Sequence, residues 1–403
     1  MSHNDRILTT HVGSLPRTHE LLDANARKAR GEISEQEFRD ILTDSVDKVV
    51  KREKDLGLDI INEGEYGHIT SGSVDYGAWW NYSFTRLAGL TLTELDRWAD
   101  TTVYRSTPGH LVLTTFQDRR DRTRFKNAYE DPTTGILTGR AAVPNPEITG
   151  KVTYIGQEQT QRDVSLLTEA LKKNGVNAGF IASLSPGAAA RLKNTYYESE
   201  IEQLNDFADA QHEEYKIITD AGLTVQLDAP DLAEAWDQIN PEPTVKDFQD
   251  WLQLRIDAAN RALEGIPAEQ VRLHICWGSW HGPHTTDIPF EAIVDQCLQV
   301  NAKYFSFEAS SARHAHEWRV WENNRLPQGR VLLPGFVSHS TNVVEHPRLV
   351  ADRIVRFAQL VGPENVIAST DCGLGGRLHE DIAWAKLESL VEGARIASHE
   401  LFG

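Results

Sequence analysis

The sequence predicts an α/β fold of the (β/α)8, or TIM barrel, class, and three observations predict it. Eight apolar runs of strand length end near Ser14, Glu65, Ser183, Asp228, Cys276, Glu308, Val337 and Cys372. Stretches with helical periodicity alternate with these runs, and strands alternating with helices form a parallel sheet. Polar, chemistry-bearing residues stand at the ends of the runs: Ser14, Glu65, Asp228, His274, Cys276, Glu308 and Cys372. A barrel gathers the C-terminal ends of its strands at one mouth, where the chemistry of such enzymes sits. The 403 residues suit a single barrel domain spanning 1–403 with an insertion.

The elements follow in order. Ile7 to Ser14 reads as the first strand, ended by Pro16. Leu21 to Leu56 has helical period with a break near Gly31, and Ser34 and Glu37 are spaced as a capping box. Leu58 to Glu65 reads as the second strand. Residues 66–150 break the rhythm with Gly, Thr and aromatics, and are expected to form an inserted excursion with short strands such as Leu111 to Phe116. Within it the pair Trp79-Trp80 suits a core, an interface or a lid that excludes water.

The βα rhythm then resumes. Ala178 to Ser183 reads as a strand and Ser199 to Ala221 as a long helix. A strand over Thr224–Asp228 leads to a helix over Val245–Leu263, and the strand ending at Cys276 to a helix near Phe290–Val300. The Glu308 strand leads to a helical patch around His316–Glu322. Val331 to Val337 reads as a strand despite Pro334, which is awkward in a central one. A helix from Pro347 to Leu360, the strand ending at Cys372 and a helix from Asp381 to Glu400 complete the chain.

Bulk properties narrow the function. The formal net charge of -18 argues against nucleic acid or an anionic membrane as partner. The basic run Arg119 to Lys126 is expected to be a solvated face or internal ion pairs rather than an anion site. No segment approaches the roughly 18 continuous apolar residues of a membrane span. Met1 to Arg6 is polar, without a signal-peptide apolar region, and three cysteines suit a reducing cytoplasm. Whether the chain forms a homo-oligomer is left open.

His274 and Cys276 are two residues apart on one strand, so their side chains share a face. An imidazole and a thiol so placed are ready ligands for zinc. Cys297 instead falls on the apolar face of a helix with Phe290, Ile293, Val294 and Leu298, and is expected to be structural. Glu308 and Cys372 stand at later strand ends. Their separation from Cys276 is too long for a zinc finger but suits ligands gathered from separate barrel strands. His281 and His284 lie in a Gly/Pro-rich loop, where histidines are most often only solvated.

These motifs resemble those of the cobalamin-independent methionine synthase family, in its catalytic C-terminal barrel. They are Thr9-Thr10-His11-Val12-Gly13-Ser14-Leu15-Pro16, Glu63-Gly64-Glu65, Gln226-Leu227-Asp228-Ala229-Pro230, His274-Ile275-Cys276, Phe307-Glu308-Ala309-Ser310 and Thr370-Asp371-Cys372-Gly373. The resemblance covers nearly the whole chain. It implies Zn2+ held by His274, Cys276, Glu308 and Cys372, and substrate binding by Ser14, Glu65 and Asp228. His339, near the position of the family's proton donor, is the implied catalytic acid. There are departures. Full-length members carry a second barrel, Ala229 stands where they usually have glutamate, and His339 falls one residue early. Trp277 to His284 and Glu345-His346-Pro347 look closer to single-barrel relatives such as epoxyalkane:coenzyme M transferase.

A thiol has a pKa of about 8.5 and is mostly protonated at neutral pH, whereas zinc deprotonates a bound thiol. Two thiolates and a carboxylate outweigh the divalent charge, which favours a nucleophilic sulfur over Lewis-acid hydrolysis. The expected activity is therefore zinc-dependent alkyl transfer between a small-molecule thiol acceptor and an alkyl or methyl donor. The leading expectation is methylation of a homocysteine-type thiol in methionine biosynthesis. Addition of a small thiol to an epoxide is the second, and a non-catalytic zinc- or metabolite-binding barrel the third.

Overall fold

The computed structural model describes residues 5–68, 82–96, 98–136 and 144–403. Among the described residues there are ten strands: β1 (Leu8–Thr9), β2 (Leu87–Asp96), β3 (Pro144–Tyr154), β4 (Phe180–Leu184), β5 (Lys193–Asn194), β6 (Thr224–Ala229), β7 (Val271–Ile275), β8 (Tyr304–Phe307), β9 (Val331–Val337) and β10 (Ile367–Thr370). Seven form one sheet in the order β1-β10-β9-β8-β7-β6-β4, every pairing parallel. The sheet curls in the manner of a TIM-like barrel. Single parallel bridges, Thr10 to Ile60 and Ile61 to Gly179, tie its two edges to the segment at 60–61.

Local chemistry accounts for most elements. The helices His19–Ala29 and Glu35–Leu56 are separated at Gly31, and the capping box of Ser34 and Glu37 starts the second. Gly57, in the left-handed conformation, ends it. The helices Glu200–Asp220 and Val245–Ala262 begin at Ser199 and Thr244, whose side chains accept from backbone N–H groups three residues on. β7, β9 and β10 are buried along their whole length, as parallel strands covered on both faces are, and β9 accordingly reads as an unbroken apolar run. Arg272 of β7 is buried. It donates to Thr10 Oγ1 (3.2 Å) and the His11 carbonyl (2.9 Å), linking β7 to the chain leaving β1.

Several elements differ from the sequence reading. Of the strand expected over Leu58–Glu65, only residues around 60–61 pair, because Gly64 (φ 66°) and Glu65 (φ 57°) turn the chain out of extended geometry. The helix expected near Phe290–Val300 is a turn at Phe290–Ala292 followed by four helical residues, Val294–Cys297. Leu111 to Phe116 makes one bridge, Leu113 to Ile239, and Phe116–Asp118 is a tight 3-10 turn. Pro334 is accommodated because the β9–β10 ladder skips it. Leu332 bridges Val366, pairing resumes at Gly335 with Ser369, and the missing N–H falls in the gap.

The excursion forms an antiparallel hairpin of β2 and β3, with β5 against β3. Phe84, Leu87, Ile148, Val152 and Tyr154 pack on Phe207 and Ala210 of the helix Glu200–Asp220. Farther along, Trp98, Phe116 and Tyr129 cluster with Trp280, which follows β7. These residues are thus packed on the helix Glu200–Asp220 and on the segment after β7. Trp79 and Trp80 lie outside the described residues. Among the described residues, no helix is long and apolar enough to cross a membrane.

Candidate active site

The alternation of β7 sends His274 and Cys276 to the same face at the strand's end. Cys372 arrives from two residues beyond β10. The Sγ atoms of Cys276 and Cys372 are 4.0 Å apart. With one imidazole nitrogen of His274, the three ligand atoms all lie within 4.8 Å of one another. Nδ1 of His274 is 3.1 Å from Ser306 Oγ on neighbouring β8. That bond orients the ring, and Nε2 is buried with no hydrogen-bond partner among the described residues. The thiols interact: Cys372 is pulled down by the hydrogen bond from Cys276, which is pushed up in turn.

Glu308 follows β8 and is buried. Its carboxylate groups with His339 and Asp371, their ligand atoms within 4.8 Å, and Oε1 is without a hydrogen bond among the described residues. Burial raises its pKa to about 8. Asp371 accepts from the backbone N–H groups of Ala309 (2.8 Å) and Ser310 (2.9 Å) and from Ser310 Oγ (2.7 Å). The residue before Cys372 thereby holds the residues after Glu308, so the ends of β8 and β10 are locked together. His339 stands behind this group. Burial drops its pKa to about 3, so its ring is neutral at physiological pH.

Ser14, Glu65 and Asp228 border the same cavity as His274, Cys276 and Cys372, whereas Glu308 and His339 do not line it. Asp228 is the cross-strand neighbour of His274 and accepts from Gln226 Nε2 (2.8 Å). Burial raises its pKa to about 7. Burial also raises Glu65 well above the usual carboxylate range, with Asp228 adding to it. Glu65 holds a left-handed backbone, a conformation that costs about 1–3 kcal/mol and that clusters at functional sites. Gly13 makes room for it, since a Cβ there would lie 2.4 Å from Glu65 Oε1. Ser14 Oγ accepts from Arg17 (2.7 Å), and Arg17 also donates to the Glu65 carbonyl (2.5 Å).

The chain matches the cobalamin-independent synthase catalytic domain over residues 7–147 and 139–396. It belongs to this family. Its sequence is 24% identical to the methionine synthase of Thermococcus kodakarensis, over 98% of this chain and 94% of that one. It is 23% identical to the 5-methyltetrahydropteroyltriglutamate–homocysteine methyltransferase of Thermotoga petrophila, over 96% of this chain but only 44% of that protein. The chain therefore spans less than half the length of the Thermotoga relative. The 2-hydroxypropyl-CoM lyase of Xanthobacter autotrophicus is 28% identical over 179 residues, 38% of this chain. In fold, the chain is similar to a B12-independent methionine synthase from Shewanella sp. W3-18-1, with a TM-score of 0.68, 18% identity and 98% of this chain covered.

The thiols and imidazole gathered here are donors that suit a borderline-soft metal such as zinc. Two thiols and an imidazole with an unbonded buried nitrogen converge from the ends of β7 and β10, and Glu308, with an unbonded buried oxygen, belongs to a second group with His339 and Asp371. Other cavity-lining residues were not singled out from the sequence: Arg17, Arg191, Glu234 and Arg377, together with the aromatics Trp98, Phe116 and Trp280. The basic run is divided. Arg119 and Arg120 are engaged in internal pairs with Glu234 and Glu242, yet Arg119 also lines the cavity. His281 contacts the His339 carbonyl (3.1 Å), and His284 lies between Asp287 and the Trp280 carbonyl. Neither histidine lines the cavity.

Proposed function

We propose that the chain is a zinc-dependent thiol alkyltransferase that methylates a homocysteine-type thiol. In this reading its scaffold is a single (β/α)8 barrel, with the 60–61 segment as the stave between β1 and β4. The observation that carries the reading is the convergence of Cys276, Cys372 and His274 on a cavity that Glu65 and Asp228 also border. His274, Cys276, Glu308 and Cys372 would hold the metal. Zinc bound there would deprotonate a coordinated thiol and leave its sulfur nucleophilic.

The chain's own residues do the rest. Glu65 and Asp228 accept hydrogen bonds from the ammonium group of an amino-acid thiol and aim its sulfur at the strand ends. Ser14, bonded to Arg17, fixes the other side of that group. Trp98, Phe116 and Trp280 wall the cavity and exclude water, which strengthens each polar contact inside. His339 is neutral and lies behind Glu308. We assign it to positioning that carboxylate, since a neutral ring away from the cavity is ill placed to protonate the leaving group. The reaction is expected in methionine formation in the cytoplasm.

A second reading is addition of a small thiol to an epoxide. Its support is the partial similarity to 2-hydroxypropyl-CoM lyase and the Trp277–His284 segment. X-ray absorption at zinc, with and without homocysteine, tests the first step shared by both. A new Zn–S contact is expected, and its absence for every thiol tried would sink alkyl transfer. Turnover of homocysteine with methyl-folate or of a small thiol with an epoxide then separates the two.

A further inference from the structure

Two arginines from different segments meet on one side of the cavity. Arg119 comes from the excursion and Arg191 from the segment after β4, and both line the cavity that reaches His274, Cys276 and Cys372. Arg119 is 2% exposed and lies between two rings, with its guanidinium 5.1 Å from the centroid of Phe116 and 4.9 Å from that of Trp280. Its Nη2 pairs with Glu234 Oε1 and reaches Gln238 Oε1 at 3.3 Å. Its Nε and Nη1 make no hydrogen bond among the described residues, although Asp237 Oδ2 lies 3.9 Å from Nη1. Arg191 donates to Glu234 Oε2 (3.1 Å) and to Gln238 Oε1 (2.5 Å), and its Nε is likewise unbonded.

The two guanidinium groups share Glu234, Asp237 lies beside Arg119 as a second carboxylate, and three of their buried nitrogens donate no hydrogen bond among the described residues. Buried donors without partners cost stability, and a guanidinium is preorganised to take a planar or tetrahedral oxyanion. The cluster also abuts the candidate metal ligands, for the Glu234 N–H donates to the Cys276 carbonyl (3.1 Å). Glu65 and Asp228, by contrast, suit a cationic or hydroxyl group. The cavity thus offers separate sites for opposite charges.

We infer that Arg119 and Arg191 form a subsite for a carboxylate or sulfonate carried by a molecule that occupies the cavity. This deepens the alkyl-transfer reading, and the subsite selects the acidic substrate for that site. The excursion then has a chemical role: it delivers Arg119 and Phe116, one of the two rings that hold it.

Calorimetric titration of the zinc-loaded full-length chain tests the inference. The thiol arm compares 3-mercaptopropionate and 2-mercaptoethanesulfonate with neutral 2-mercaptoethanol. The donor arm compares 4-aminobenzoyl-glutamate with its diamide. Acidic probes of at least one arm should bind tighter than the neutral counterpart by at least about tenfold. The preference should vanish in Arg191→Gln and in the charge-balanced Arg119→Gln/Glu234→Gln, and return in part in Arg191→Lys, with thermal melts verifying folding. A preference confined to thiols assigns the anion to the acceptor, and one confined to the donor arm assigns it to the donor; either supports the subsite. No preference in either arm, or one that survives in both variants, overturns it. Acid selectivity without any Zn–S contact from a thiol would refute alkyl transfer while supporting the subsite.

Discussion

Gly13→Ala separates backbone strain from steric conflict at the candidate site. Gly13 has φ 141°, a region that side-chain-bearing residues rarely enter, and an alanine there costs about 1–3 kcal/mol. Its Cβ would also lie 2.4 Å from Glu65 Oε1 and 3.4 Å from that residue's Cδ. Carbon and oxygen need about 3.4 Å, so the carboxylate would move by about 1 Å, an overpacking cost of about 1–3 kcal/mol. Glu65 is 2% exposed and its backbone is already in the left-handed region, so it has little freedom to yield. Equilibrium urea unfolding of Gly13→Ala, Glu65→Ala and the double variant measures both terms. The double variant should recover the overpacking cost and keep the strain, giving a coupling of about 1–3 kcal/mol. Additive effects, or a Gly13→Ala cost below about 0.5 kcal/mol, would refute the assignment of Gly13 as the residue that seats Glu65.

Two further outcomes follow from the same geometry. Cys372→Ser is expected to lose zinc on gel filtration while Cys297→Ser retains it, as metal analysis would report; unchanged zinc in Cys372→Ser removes that thiol from the site. His314 supplies a pH signature: burial alone would lower its pKa, but hydrogen bonds to Asp287 (3.1 Å) and Glu317 (2.9 Å) outweigh this and raise it to about 10. The folded state therefore binds the proton more tightly than the unfolded chain, whose histidine pKa is about 6.5. The resulting stability, a few kcal/mol in order of magnitude, is full below about pH 6.5 and lost as pH rises toward 10. Melting temperatures between these limits should fall in the wild type and fall less in His314→Gln; equal slopes would exclude His314 as the source.

Features set by short-range pattern were legible without the fold. The capping box of Ser34 and Glu37, the helix Glu200–Asp220 and the strand run ending in His274 and Cys276 each depend on neighbours within a few residues. The strand read at Leu58–Glu65 was overestimated. Apolar periodicity does not reveal that Gly64 and Glu65 adopt positive φ, and their turn is stabilised from outside by Arg17 and by the room that Gly13 leaves. The helix read at Phe290–Val300 has a helical face in sequence, yet in the fold it is a turn at Phe290–Ala292 and one short helix, Val294–Cys297.

By itself the sequence determined the alternation of strands and helices, and hence a parallel sheet with polar residues at its strand ends. It also determined that His274 and Cys276 share a face, because a strand's period of two is a local property. Only the tertiary structure decided what those residues meet. It brought Cys372 to 4.0 Å from Cys276, grouped Glu308 with His339 and Asp371, and kept His339 off the cavity wall. It also drew Arg119 out of a charged run and set it beside Arg191 on Glu234. The physical reason is that these contacts depend on barrel curvature and on the docking of the excursion. Both are summed over packing between distant segments, and no stretch of neighbouring residues encodes them alone.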